Sequence, residues 1–319
     1  MSQTQAADKT KPLLDRVAED IQKSGFPLEL HVLNICSSRN TGRLPSVRYE
    51  YLGQLREIDL ITNFETIKFK SSQRNAPQHT VTSLIIECKK SSSKPWVFFT
   101  SEDYAFREFL VSYLHYVSEF DLHFKEQAEI PLLARIVSQV KLTQYANSRL
   151  AKCVSYYEAF RDKDRPSDIY KAVDSVITYL SYSHEIRKER REEFGVFSNF
   201  FLPVIVLEGD LMEASLIDNA IKVVKKKHLQ LRTLHREKTY LIDIVTKDHF
   251  SDFLAEIENF HDGLVSAISS LEFPRDYLAK TRAKMKSVEL DPETEGEIAI
   301  STAEFAHRKI KAAILKDLS

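Results

Sequence analysis

The segment Leu84-Ile85-Ile86-Glu87-Cys88-Lys89 closes a compact apolar run with two charged side chains. Side chains alternate between the faces of an extended strand, so Glu87 and Lys89 point one way and Ile86 and Cys88 the other. An unpaired charge at the end of a buried strand is costly, which gives such residues either a partner or a task. Upstream, Arg56-Glu57-Ile58-Asp59-Leu60-Ile61 sets Glu57 and Asp59 on one face, with Ile58 and Leu60 opposite. If the two strands are neighbours, Asp59, Glu87 and Lys89 converge on one spot. Two carboxylates brought together repel unless a cation accompanies them, and an ammonium beside them offsets anionic charge. The plainer alternative for the three residues is a structural ion pair between adjacent strand ends, with Glu57 as a solvated or Arg56-paired neighbour. Composition alone predicts about four D/E-x-K triplets in such a chain. Glu87-Cys88-Lys89 is the only one.

The flanking pattern supplies the elements that would hold these residues. Pro12 suits a first helical turn, and Leu13, Leu14, Val17 and Ile21 then share a face, with Gly25 as the stop. Leu28 to Ile35 reads as a strand. A polar loop from Ser37 to Pro45 precedes Val47 to Thr62, a long strand or a hairpin broken at Gly53. Phe64 to Phe69 reads as another short strand and Ser71 to His79 as a loop. Val81 to Cys88 has the unbroken apolar character of a central strand buried on both faces. From Ser101 to Phe194 the spacing turns helical. Phe106, Phe109, Leu110, Tyr113 and Leu114 recur at helical intervals, as do Leu132, Leu133, Ile136, Val137 and Val140, towards Tyr157. Pro166-Ser167-Asp168 marks a fresh helix start ahead of Val173, Val176, Ile177 and Leu180. Strands return at Leu202 to Leu207, Leu229 to Leu234 and Tyr240 to Val245, and a helix follows from about Phe250 to Ile268. Neither strand group alone makes a convincing sheet. The order therefore predicts one α/β core with a helical insertion: core over 1–100 and 196–270, insertion over 101–195, and a charged C-terminal segment over 271–319.

The 319 residues carry 45 basic and 46 acidic side chains, which excludes a whole-surface polyanion binder but not a local basic groove. Glycine is scarce, at seven residues, and neither GxGxxG nor GxxxxGK[ST] occurs, so glycine-loop nucleotide sites have no support. Cys36, Cys88 and Cys153 lie far apart without a CxxC pair, against a disulfide scaffold or thiolate zinc site. No apolar run approaches the roughly 18–20 residues needed to cross a bilayer. Met1 to Lys11 is polar, without an apolar stretch of the signal-peptide kind, and the expectation is a cytoplasmic chain with no membrane partner.

The Glu-x-Lys strand, the acidic strand Glu-Ile-Asp-Leu-Ile before it, the run to Pro95-Trp96-Val97-Phe98-Phe99 and the later Pro203-Val204-Ile205-Val206-Leu207-Glu208-Gly209 together resemble the PD-(D/E)xK nuclease superfamily, including its predicted-nuclease branch. The resemblance covers about Leu13 to Phe99. Ile58 stands where many members have proline, and 28 residues separate Asp59 from Glu87, which calls for an extra hairpin or loop. The resemblance implies a restriction-endonuclease-like fold, a mixed β-sheet flanked by helices. It implies a Mg²⁺-dependent endonuclease, a hydrolase of phosphodiester bonds in DNA, with Mn²⁺ able to substitute and a homodimer as a possible working form. Asp59 and Glu87 would hold the metal together with the Cys88 carbonyl, and Lys89 would orient the attacking water. Some relatives add an acid from the first helix, for which Asp15, Glu19 and Asp20 are all available. The competing reading is an inactive nuclease-fold protein that binds nucleic acid or a protein partner.

Other features have milder readings. Lys222, Lys225-Lys226-Lys227-His228, Arg232 and Arg236 form the densest basic segment. They could follow a phosphate backbone, as could Lys280, Arg282, Lys284 and Lys286, but charge runs are commonly solvated faces. The ten histidines show no HExxH or HxH spacing and read as core or surface residues. Trp96, the single tryptophan, reads as a core anchor beside the Glu-x-Lys strand, and Tyr156 and Tyr157 read as packing aromatics.

Overall fold

The computed structural model describes residues 11–39, 41–68, 78–100, 118–120, 153–161, 164, 166–190, 197–235 and 238–269. Their order is α1 (Leu13–Lys23), α2 (Phe26–Ser38), β1 (Gly42–Tyr51), β2 (Gln54–Lys68), β3 (Gln78–Thr100), β4 (Ser118–Phe120), β5 (Cys153–Glu158), α3 (Asp168–Arg190), β6 (Phe197–Ile217), β7 (Ala220–Lys226), β8 (His228–His235), β9 (Lys238–Thr246), a 3-10 turn (Lys247–His249) and α4 (Phe250–Ser269). The fold is mixed α/β, a single sheet with helices packed against it.

Three unbroken apolar runs make the centre. β3 and β6 pair in parallel from His79↔Phe197 to Ser91↔Gly209, and β6 pairs in parallel with β9 from Val204↔Asp243 to Leu207↔Thr246. Leu84, Ile85, Ile86, Val204, Ile205, Val206, Ile242, Ile244 and Val245 are all buried there, as a parallel sheet covered on both faces requires. Thr82 and Glu87 differ in parity along β3 and so face opposite ways. The α4 residue His261 bonds Thr82 and the α3 residue Ser175 bonds Glu87, so α4 and α3 cover opposite faces. On its other flank β3 pairs antiparallel first with β2 and then, past a register break between Ser91 and Trp96, with β5. β5 touches β8 through the Cys153↔Leu231 bridge, and β8 pairs with β9. The ladder β3–β5–β8–β9–β6 thus returns to β3 and closes on itself. Trp96 and Phe98, on the second half of β3, are among its largest fully buried side chains.

Several elements depart from the sequence pattern for identifiable reasons. Leu28 to Ile35, expected as a strand, belongs to α2. Its Leu28, Leu30 and Val32 alternate, but Leu28, Val32 and Cys36 also recur every four residues, and that set is the buried one while Leu30 is exposed. Pro27 lies in the first turn of α2 and favours the helical alternative, with Gly25 as its N-cap rather than merely the end of α1. Of the long strand and the hairpin that Gly53 allows, the hairpin is the one formed. Leu52 and Gly53 take φ of 52° and 72°, both positive, as a two-residue turn of the primed type demands. Phe64 starts no new strand, because β2 continues through it to Lys68.

The stretch 101–195, expected to be wholly helical, contributes β4 and β5 to the sheet. Cys153–Glu158 carries Val and two Tyr, residues that suit a strand, and aligns against Trp96–Thr100. The helix at Pro166-Ser167-Asp168 is present as α3, and Glu158 holds its first turn, accepting from the Asp168 amide and the Ser167 hydroxyl, both at 2.9 Å. A carboxylate there satisfies free amides and complements the helix dipole. The other expected helices of this stretch and the segment 271–319 lie outside the described residues, as does the loop expected over 71–79 except for Gln78 and His79, which already belong to β3.

Two residues of β6 fit their places for steric reasons. Pro203 lacks an N–H, and it falls between the β4 pairing, which reaches Phe200, and the β9 pairing, which begins at Val204. A Cβ at residue 209 would lie 2.4 Å from the Ser91 carbonyl oxygen, so only glycine lets β3 and β6 stay in register past the Glu-x-Lys segment. Gly209→Ala is expected to lower unfolding free energy by about 1–3 kcal/mol, seen as a lower urea midpoint with an unchanged slope. An unshifted midpoint would mean that the strands separate freely at this point.

Candidate active site

The antiparallel ladder between β2 and β3 ends at Leu60↔Ile86, whereas β2 stays paired with β1 down to Gln54 and β3 stays paired with β6 up to Ser91. The two strands therefore part where Asp59 and Glu87 stand. The Cys88 amide, two residues beyond the last pair, donates to Asp59 Oδ2 at 2.7 Å. Glu87 Oε1 accepts from Lys89 Nζ at 2.5 Å, and Glu87 Oε2 accepts from Ser175 Oγ of α3 at 2.8 Å. Asp59, Glu87 and Lys89 come together as the strand pattern predicts, and Ser175 is an addition no spacing announced.

Electrostatics tie the group together. Glu87 is only 6% exposed. Burial is the largest influence on its carboxyl, Asp59 adds to it, and Lys89 and Ser175 oppose them, leaving it pushed up to about 7. Burial likewise lifts Asp59 above the usual carboxylate range, with Glu57 adding and the Cys88 amide and Lys89 opposing. Burial alone would pull the Lys89 ammonium down, but the charge and hydrogen bond of Glu87, followed by Asp59, carry it above its ordinary value. Lys89 thus stays charged.

Asp15, Glu19 and Asp20 are exposed on α1, which buries none of its residues, and Glu19 pairs with Lys11. Glu29 of α2 is the helical carboxyl that feels the site. Burial raises it first, Asp59 and Glu57 raise it further, and Lys89 lowers it. Reading Leu28 to Ile35 as a strand hid this residue; the Pro27 and four-residue spacing that mark α2 were the available signal. Glu57 pairs with Arg48 at 3.1 Å, while Arg56 reaches Asp174 of α3 at 2.9 Å instead.

The donor set suits a hard cation in chemistry. Asp59 and Glu87 offer carboxylate oxygens with acceptor capacity beyond the bonds they make, and carboxyls raised by burial and by a neighbouring Asp59 or Glu57 gain from a positive charge. Among the described residues no group of three or more His, Cys, Asp or Glu side chains is close enough to enclose a metal. An ion here would depend on Asp59, Glu87, the backbone and water, the kind of partial protein coordination Mg²⁺ accepts.

The remaining candidates separate clearly. Lys222, Lys225 and Lys226 lie on β7, where Lys225 pairs with Asp210 and Lys226 with Glu213, each at 2.6 Å, so two of the cations are already balanced. Lys280, Arg282, Lys284 and Lys286 lie outside the described residues. Trp96 is buried on the Glu-x-Lys strand itself, and Tyr156 packs towards Phe98, but Tyr157 is 57% exposed rather than packed. Of the buried histidines, His261 bonds Thr66 and Thr82 and His79 lies 2.8 Å from Glu65, while the half-buried His228 bonds Asp243 at 2.7 Å. Cys88 is buried with its thiol raised well above its usual value, which leaves it unreactive.

The Glu87 carboxyl has an ordinary value of 4.5 and a folded value of about 7. Between those limits the folded protein holds a proton that the unfolded chain releases, so stability falls as pH rises through the window. In EDTA, the unfolding free energy of the parent relative to Glu87→Gln is expected to fall from pH 4.5 to pH 7 and then level off. A difference independent of pH would show that Glu87 ionises as it does in solvent.

No protein-family model matches the chain, and neither does any curated protein or any solved structure.

Proposed function

We propose that the protein is a metal-dependent nuclease of restriction-endonuclease-like fold, hydrolysing phosphodiester bonds in DNA. The observation that carries this reading is the parting of β2 and β3 at Leu60↔Ile86, which leaves Asp59, Glu87 and Lys89 gathered at the mouth of the split. The site lies part-way along β3, at the point where β2 leaves it and before β3 continues beside β6 and β5. Asp59 and Glu87 would hold Mg²⁺, or Mn²⁺ in its place, with Glu29 adding negative charge from α2. The bound ion supplies polarisation of the phosphodiester and a more acidic water. Lys89, kept charged by its carboxylate neighbours, is placed to orient that water and to offset charge on the phosphate as it develops. Ser175 holds the Glu87 carboxylate from the opposite side and fixes its direction.

The competing reading, a nuclease-like protein that binds nucleic acid or a partner without cutting, also has an observation in its favour. Both Glu87 oxygens already have partners within the protein, Lys89 and Ser175, so the group can persist as a self-neutralised ion pair.

Two measurements divide these readings. Supercoiled, linear and single-stranded DNA incubated with Mg²⁺, Mn²⁺ or EDTA should be cut by the parent only with metal, and Lys89→Ala or Glu87→Ala should reduce cutting by about 100-fold or more. Equal cutting by parent and variants would remove the site assignment, and DNA binding without cutting would favour the second reading. Independently of activity, saturating Mg²⁺ should stabilise the parent by about 1 kcal/mol or more, a rise of roughly 2–4 °C in thermal midpoint. Glu87→Gln should lose that response, and a parent midpoint indifferent to Mg²⁺ would argue against a metal site.

A further inference from the structure

The distal part of the β6–β7 hairpin exposes large apolar side chains away from the site. β6 pairs with β3 as far as Phe99↔Ala214, but its pairing with β7 runs on to Ile217↔Ala220, so the tip is a ribbon of two strands. Leu216 and Ile221 are each 69% exposed and Val223 is 54% exposed, and the register sets all three on one face of the ribbon. Among the described residues β7 pairs with β6 alone, which leaves its other edge open.

The hydrogen-bond phase of that edge follows from the turn. Asp218 and Asn219 take φ of 49° and 62°, a two-residue primed turn, so the closing pair Ile217↔Ala220 exchanges hydrogen bonds within the hairpin. Pairs alternate along an antiparallel ladder, so Lys222, Val224 and Lys226 also bond inward. Ile221, Val223 and Lys225 then present N–H and C=O outward. Lysines commonly protect such an edge. Here Lys225 and Lys226 fold back onto Asp210 and Glu213, and the outward backbone groups stay uncovered by them.

We infer that this edge pairs with the same edge of a second copy of the chain, β7 against β7, about a two-fold axis at Val223. Antiparallel pairing centred there sets Val223 against the partner's Val223, Ile221 against the partner's Lys225, and Lys222 against the partner's Val224. Of these, Ile221, Val223 and Lys225 carry the outward groups that can exchange bonds, about six in all. No lysine faces a lysine in this register. The Asp218 tip of each hairpin comes beside the Lys227 end of the other, which gives charge complementarity. Leu216, Ile221 and Val223 of the two copies merge into one apolar strip, and a two-fold contact closes the edge instead of propagating it. The inference is independent of the catalytic reading.

An interface of one short strand pair gives a weak dimer, with a Kd of about 1–100 µM. Sedimentation velocity of the full chain should show monomer passing to dimer across that range. Val223→Pro removes an N–H that faces outward, a change edge strands tolerate, and should leave a monomer with far-UV circular dichroism and thermal midpoint kept. Val223→Lys sets like charges on the axis and should do the same, so it carries the test if the proline variant folds poorly. A parent that stays monomeric at about 100 µM, or a folded variant that dimerises like the parent, would overturn the inference.

Discussion

Where β2 and β3 separate, the amide of Cys88 loses the carbonyl that a continuing ladder would offer, and the Asp59 carboxylate takes its place at 2.7 Å. A buried amide without an acceptor is costly, so this one bond lets the strands diverge without an orphaned donor. β2 follows β1 away from the centre, and β3 stays with β6. The wedge between them is the place where charged side chains can stand at the end of an otherwise apolar strand.

The charge set in that wedge is held from several directions. Lys89 and Ser175 each take one oxygen of Glu87, and Ser175 is there because α3 packs over the strand. α3 in turn begins against Glu158, which belongs to β5 and lies opposite Trp96 in the ladder. The same strand that carries the Glu-x-Lys segment thus fixes the helix that orients its glutamate, through its second half beyond the register break. The α2 helix adds Glu29 from another element. Burial raises all three carboxyls, Asp59 raises Glu29 and Glu87 further, and Glu57 raises Asp59 and Glu29, so the set gains from a cation or a proton.

The framework tolerating this strain is the parallel group β3, β6 and β9, buried on both faces and closed through β8 and β5. Its tight points are backbone contacts rather than side-chain bonds. Glycine at 209 permits the approach to Ser91, and Pro203 falls between the β4 and β9 pairings of β6 among the described residues. Beyond this framework the β6–β7 ribbon leaves the sheet, and its apolar residues meet no core.

The sequence by itself determined the parts whose signal is local and continuous. The runs Val81 to Cys88, Leu202 to Leu207 and Tyr240 to Val245 read as strands, the first of them buried on both faces, and they are the three parallel strands. The turn at Gly53 and the helix start at Pro166-Ser167-Asp168 were equally legible, because positive φ and helix entry select particular residue types. Alternation put Glu87 and Lys89 on one side of β3, and an acidic strand nearby supplied Asp59. Leu28 to Ile35 was ambiguous, since its apolar residues satisfy periods of both two and four, and burial of Leu28, Val32 and Cys36 against the sheet decided it. Cys153–Glu158 became a strand through pairing with a segment more than fifty residues away. Glu29 and Ser175 joined Asp59 and Glu87 for the same reason. Their positions depend on how whole helices dock on the sheet, and no spacing along the chain encodes a contact made between elements distant in sequence.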